Sequence, residues 1–203
     1  MSLSNYSELT ATIASVLNRT DLTDTIPTWV ALAESVFNRR LRTREMEAYA
    51  AIPANDGQFS LPSDFLVMRA IQISGTTTTL TAVSDDFIAG LPSQVGTPLY
   101  YSIQGGYVLL YPAPADGTNV EMRYYQRIPA LTKSNTTNWL LTKNPDAYLY
   151  TALINSAPFL HDDERLVTWA RLSGEAIDGI NDLAMEAVEG GRPQMISDTV
   201  RHF

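Results

Sequence analysis

The feature that most constrains this chain is a change of hydrophobic period, from helical to alternating and back again. In 5–18 and in 27–44, apolar residues recur at three- and four-residue spacing. Leu9, Ile13, Val16 and Leu17 form the first stripe, and Trp29, Val30, Ala33, Val36, Phe37 and Leu41, led by Ile26, form the second. From 47 to 129 the pattern becomes short runs of strand type: AYAAIP, QFSLP, FLVMRAIQI, TTTLTAV, LYYSI, YVLLYP and NVEMRYYQRI. Between them stand Asn55-Asp56-Gly57, Ser74-Gly75, Gln104-Gly105-Gly106 and Ala115-Asp116-Gly117, residues that turns with positive φ favour. Helical spacing returns in 145–159 and 164–188, where Leu166, Trp169, Leu172, Ala176, Ile177, Ile180 and Leu183 make the last stripe.

An amphipathic helix must bury its stripe, and the simplest partner for a terminal helix here is another terminal helix. The expected fold class is therefore α+β: a helical layer built from the N- and C-terminal helices, an inserted antiparallel β region over 47–129, and an extended C-terminal tail. A single domain is expected over 1–189, with a flexible arm over 190–203. At 203 residues there is material for a real core. No period of 20 to 50 residues suggests a repeat array.

Local punctuation supports these assignments. Ser4 or Asn5 can cap the first helix, Pro27 suits a first turn, and Ser84 or Asp85 can cap a short turn in SDDFIAG. The stretch NWLLTKNPDAYLY, 138–150, reads as the corner where the chain leaves the β region. Trp139, Leu140 and Leu141 are expected to pin a loop, Asn144 to cap the next helix and Pro145 to start it. Tyr148 and Tyr150 then pack inward or face a neighbour. Gly190-Gly191-Arg192-Pro193 stops the last helix.

Composition excludes several chemistries. Without cysteine there is no disulfide framework, thiolate metal site or cysteine nucleophile. The two histidines, His161 and His202, cannot build a histidine cage. HDDE, 161–164, gathers an imidazole and three carboxylates, but consecutive residues on a helix do not face one point. An N-cap with acids in the first turn accounts for it without metal. Asp85-Asp86 are neighbours in sequence and do not converge as a glycosidase pair must. There is no G-x-S-x-G elbow, no phosphate-binding loop and no dinucleotide fingerprint. No catalytic residue, cofactor or metal is assigned. The N-terminus lacks the basic and apolar regions of a signal peptide, no apolar run is long enough for a membrane helix, and a cytoplasmic site of synthesis is expected.

Net charge is −8, which disfavours a protein that coats nucleic acid. Two features still invite contact. The run RRLRTREME brings Arg39, Arg40, Arg42 and Arg44 to the expected end of the second helix, opposing its negative dipole end. These four can touch DNA phosphate, pair with Glu45 and Glu47, or meet an acidic neighbour. Tyr100, Tyr101, Tyr107, Tyr111, Tyr124 and Tyr125 crowd the β region. They suit half-buried strands and protein interfaces, or alternatively a platform for single-stranded nucleic acid or glycan.

Taken together, several stretches resemble the head–tail adaptor (connector) proteins of tailed bacteriophages and prophages. They are YSELTATIASVLNRTDLTDTIPTWVALAESVFNRRLRTREME, with Glu34 on its second helix, then FSLPSDFLVMRAI, GTPLYYSIQGGYVLLYPAP, and YYQRIPALTKSNTTNWLLTKNPDAYLYTALINSAPFLHDDERLVTWA. The resemblance implies a structural virion protein of the neck, assembled in the host cytoplasm. It implies a ring of identical subunits, usually twelve, between the portal protein and the tail or nozzle protein, whose channel passes double-stranded DNA without reading its sequence. Relatives are often monomeric when made alone, so the resemblance is compatible with an isolated chain that is a monomer. In several relatives a C-terminal arm locks onto the portal. Here only 190–203 can play that part, with Met195, Ile196, Val200 and Phe203 as anchors, although no family motif maps onto that segment.

Overall fold

The computed structural model describes residues 3–19, 21–160 and 164–189. It is an α+β protein of two compact units: Met1–Arg44 with Pro129–Phe203, and Glu45–Ile128 between them in the chain.

The first unit is helical. Helix α1, Tyr6–Leu17, starts at Asn5, whose Oδ1 accepts from the Glu8 N–H at 3.0 Å. Glu8 in turn accepts from the Ser4 N–H and the Ser4 Oγ, both at 2.9 Å, which ties the residue before the cap to the first turn. Helix α2, Ile26–Arg40, carries Pro27 in its first turn and buries Ile26, Trp29, Val30, Ala33 and Phe37. It ends at Arg40, four residues short of the expected end, because Leu41 is extended (ψ 139) and closes the last turn through its N–H to the Phe37 carbonyl, 2.8 Å. Only Arg39 and Arg40 therefore lie on the helix.

The stretch 138–150 also differs from expectation. Trp139, Leu140 and Leu141 do not pin a loop but form a short helix, α4, Trp139–Lys143, capped by Asn138. Helix α5 follows as Pro145–Asn155, and Asn144 contributes no side-chain cap to it. Its expected continuation to 159 is a separate 3-10 turn, Ala157–Phe159, because Pro158 cannot continue an α-helical ladder. Tyr148 turns inward and is fully buried. Helix α6, Arg165–Glu189, buries Trp169, Ile177 and Ile180, while Leu183, expected on the same stripe, is 64% exposed. Helix α5 packs against α1, α2 and α6, so the helical layer is built around it.

The second unit holds two sheets rather than one. Strands β1 (Glu47–Ala54), β7 (Thr118–Gln126) and β3 (Phe65–Ile73) form an antiparallel sheet in the order β1-β7-β3. The other sheet has the order β2-β6-β5-β4, from β2 (Gln58–Ser60), β6 (Tyr107–Tyr111), β5 (Tyr100–Gln104) and β4. The run TTTLTAV yields only the two residues of β4, Thr81–Ala82, which pair in parallel with β5, an exception to the antiparallel rule expected here. Both sheets bury one face in a shared core of Phe59, Ile71, Val108, Leu110, Val120 and Met122. The helical turn in SDDFIAG is α3, Asp85–Ala89, capped by Ser84.

The β1–β2 turn falls at Asn55-Asp56-Gly57, where Asp56 (φ 51) and Gly57 (φ 72) both take positive φ. A Cβ on Gly57 would lie 3.0 Å from that of Ala113, so the site requires glycine twice over, for its dihedral and for its space.

Candidate functional site

A carboxylate on the apolar face of α2 organises the helical unit. Glu34 lies between Ala33 and Phe37 on the buried side and is 7% exposed. Its Oε1 accepts the Leu131 N–H at 2.7 Å and the Tyr148 hydroxyl at 3.2 Å. Asn138 Nδ2 donates to that hydroxyl oxygen and to the Pro129 carbonyl, both at 2.7 Å, while Asn138 Oδ1 accepts from the Leu141 N–H at 2.8 Å. The network thus ties α2, α4, α5 and the segment following Pro129 together through groups that would each be costly to bury alone. The Tyr148 ring also packs edge-on against Phe37, with centroids 5.0 Å apart.

Among the described residues no cation hydrogen-bonds to Glu34, and burial raises its pKa. The two hydrogen bonds it accepts pull the other way without overcoming burial. Burial first and the Glu34 charge second raise the pKa of the Tyr148 phenol, so it stays a donor. Tyr6 on α1 is raised by the same two causes in the same order. This is the chemistry of a scaffold joint, because every polar group named is satisfied from within. Sequence reading placed Glu34 only within a family resemblance. A carboxylate inside an apolar stripe was the signal that marks it as buried.

The arginine run is largely engaged within its own unit. Arg40 pairs with Asp178 of α6 at 2.8 Å, and its carbonyl accepts from Asn181 Nδ2 at 3.2 Å. Arg42 Nη1 donates to the Asn38 carbonyl at 2.9 Å, closing the end of α2. Arg44 donates to the Ala187 carbonyl. Arg39 is exposed and has no ion pair among the described residues. The structure therefore does not gather the four guanidinium groups into a single patch; three are directed at backbone or α6.

The six tyrosines are likewise divided. Tyr100, Tyr101, Tyr107 and Tyr111 lie in the four-stranded sheet, and Tyr124 and Tyr125 in the three-stranded one. Tyr100 sits opposite Tyr111 across β5 and β6. The Tyr111 hydroxyl donates to the Pro92 carbonyl at 3.0 Å, and Phe87 packs edge-on against Tyr100. Tyr124 is in the core, its hydroxyl donating to Asp64 at 3.1 Å. Tyr107 is the most exposed of the six.

The outer face of the three-stranded sheet carries an ordered set of charges. Arg69 pairs with Glu47 and lies over the Tyr125 ring, 5.3 Å from its centroid. Glu121 accepts from Ser74 Oγ at 2.8 Å and Gln72 Nε2 at 2.9 Å. Those two bonds, in that order, hold its pKa below the usual carboxylate value, with Tyr49 and Arg123 adding to the effect. Tyr49 itself is 59% exposed.

His161, Asp162 and Asp163 lie outside the described residues, as do His202 and the proposed anchors Met195, Ile196, Val200 and Phe203. Among the described residues no three histidine, aspartate or glutamate side chains come together as metal ligands would, and no helix is long and apolar enough to cross a membrane.

What the two units present is an interaction scaffold: a polar joint closed on itself, and strand and helix faces bearing exposed arginine and tyrosine. The chain belongs to the SU10 adaptor protein family, whose pattern matches residues 4–195, and is thus a bacteriophage adaptor protein, a virion component that associates with other phage structural proteins. No curated protein matches the chain.

Proposed function

We propose that this adaptor is a non-catalytic head–tail connector, forming a ring between the portal protein and the tail or nozzle protein and extending the DNA channel. The observation that carries the reading is the family match over nearly the whole chain, which spans the inserted β unit and most of the helical unit. A ring requires two different lateral faces on each subunit, closed by rotation. Exposed tyrosine and arginine, of which Tyr49, Tyr107 and Arg39 are examples, suit such faces. Arg39 is the member of the arginine run best placed for a neighbouring subunit or passing DNA, since Arg40, Arg42 and Arg44 have intramolecular partners. An acidic chain with a net charge of −8 is also suited to letting DNA slide without adhering. In this reading both units form one adaptor body, and 190–203 is the arm that docks on the portal through Met195, Ile196, Val200 and Phe203.

Co-sedimentation with the cognate portal ring tests this directly, using the full chain beside a version ending at Glu189. Binding by the full chain alone supports the connector and places docking in the arm. Equal binding by both keeps the connector and moves docking to the body. Binding by neither at micromolar protein and moderate salt overturns it.

A further inference from the structure

Helices α2 and α6 each carry a second row of residues beside the stripe they bury. At about 100° per residue, Thr28, Leu32, Ser35 and Arg39 fall within an arc of about 60° on α2. All four are exposed, Leu32 by 47%, and Glu34, the one acid of α2, is buried. On α6, Leu172, Ala176, Gly179 and Leu183 fall within an arc of about the same width. Leu172 and Ala176 are half-buried, and Gly179 and Leu183 are exposed. Both rows advance by four, three and four residues, the spacing of a helix–helix seam. Exposed carboxylates flank the α6 row: Glu175, Asp182 and Glu186. Glu175 pairs with Arg171, whereas Asp182 and Glu186 have no ion pair among the described residues.

Within one chain the two rows point away from each other. Arg40, about 110° round α2 from the centre of its row, pairs with Asp178, and its carbonyl accepts from Asn181. Asp178 and Asn181 lie about 130° and 170° round α6 from the centre of the other row. Each helix thus turns one side to the other helix and its row outward. The rows also differ in charge. The α2 row ends in Arg39 and holds no acid, while the α6 row is bordered by acids. Neither suits a copy of itself, since two α6 rows would bring like charges together. Glycine is unfavourable inside an exposed helix, and a Cβ on Gly179 would meet nothing within 4 Å, so space inside the chain does not require it. Close approach of a helix from another copy would.

We infer that the Thr28-Leu32-Ser35-Arg39 row of one subunit packs on the Leu172-Ala176-Gly179-Leu183 row of the next, with Arg39 answered by the acidic flank of α6. The inference rests on the ring reading above and names its lateral faces. A second copy is the occupant because each row supplies what the other lacks. One offers a cation and no acid, the other acids, and both offer an exposed leucine at matching spacing. Their outward and separate placement on one helical unit is also what a contact repeated by rotation needs, since each subunit then gives a different face to each neighbour.

Disulfide trapping of the full chain on the cognate portal ring tests the faces. The chain has no cysteine, so every thiol is one introduced. Leu32→Cys is combined in one chain with Ala176→Cys or with Leu183→Cys, and assembly is read by co-sedimentation and electron microscopy before mild oxidation. Facing residues of packed helices bring Cα atoms within about 7 Å, the reach of a disulfide. At least one double variant should give a ladder of covalent multimers. A mixture of its two single variants should stop at dimers, and neither single variant alone should crosslink. Leu32→Cys with Val167→Cys, exposed on the opposite flank of α6, should give no ladder. A portal-bound ring without a ladder from either pair, or with an equal ladder from the Val167 control, overturns the choice of faces and leaves the connector standing. Crosslinking within a single variant marks a two-fold contact and overturns it too. A native chain that neither binds the portal nor forms a ring overturns the connector reading and this inference with it.

Discussion

Glu34 and Tyr148, 114 residues apart in sequence, meet at 3.2 Å in the interior of the helical unit, the phenol donating to the carboxylate. Asn138 holds the same hydroxyl from the other side at 2.7 Å. A helix that entered the sequence as an apolar stripe is thus fixed to α5 by a polar contact as well as by packing.

Removing the hydroxyl should show what that contact contributes. Tyr148→Phe keeps the ring against Phe37 but leaves Asn138 Nδ2 with the Pro129 carbonyl alone and Glu34 with one donor. A loss of about 1–3 kcal/mol is expected in urea unfolding. Tyr150→Phe, on the half-buried side of the same helix, should change stability by less than about 0.5 kcal/mol.

The pH dependence has a definite sign. Burial raises the Glu34 pKa in the folded chain above its ordinary 4.5, so the native state holds this proton more tightly than the unfolded state. The contribution of this group to stability is complete below the unfolded value and is lost as pH rises through the folded one. Between those two values the unfolding free energy of the native protein should fall relative to that of Glu34→Gln, which cannot titrate. Matched urea curves across that window measure the difference, and a difference that stays flat or rises with pH contradicts the assignment.

Two glycines separate backbone strain from crowding. Gly57 (φ +72) and Gly75 (φ +80) share the left-handed region, but a Cβ meets Ala113 at 3.0 Å only at Gly57. Gly75→Ala should cost about 1 kcal/mol from conformation alone. Gly57→Ala should cost at least about 1 kcal/mol more, because Ala113 must shift. Thermal melts of the two variants decide the order.

The arginines should divide by partner. Arg40 and Asp178 are both substantially exposed, so a double-mutant cycle on the pair should give no more than about 1 kcal/mol. Arg39→Glu should leave stability unchanged within about 0.5 kcal/mol, yet impair ring assembly on the portal if Arg39 serves a lateral contact. Denaturation and co-sedimentation on the same preparation read the two effects separately.

The local grammar of the chain was legible in its sequence. Asn5 and Ser84 cap as expected, Pro27 and Pro145 lie in first turns, and FLVMRAIQI is the strand it resembles, Phe65–Ile73. The α+β class followed from the switch of hydrophobic period. The four-residue overrun at Arg44 came from reading charge as helix end, when the extended Leu41 had already closed the last turn. WLL reads as a loop because the Asn138 cap competes with the more obvious Asn144-Pro145 signal six residues later.

What the sequence by itself determined is therefore what depends on neighbours within a few residues: period, caps, turns and the face each segment buries. The tertiary structure alone decided that the strands divide into two sheets, that Glu34 meets Leu131 and Tyr148 across 97 and 114 residues, and that Arg40 meets Asp178 across 138. The physical reason is that hydrophobic burial is non-directional and leaves a periodic mark along the chain, whereas a hydrogen bond needs its partner within about 3 Å. That distance is set by how distant helices and strands pack, and no local pattern encodes it.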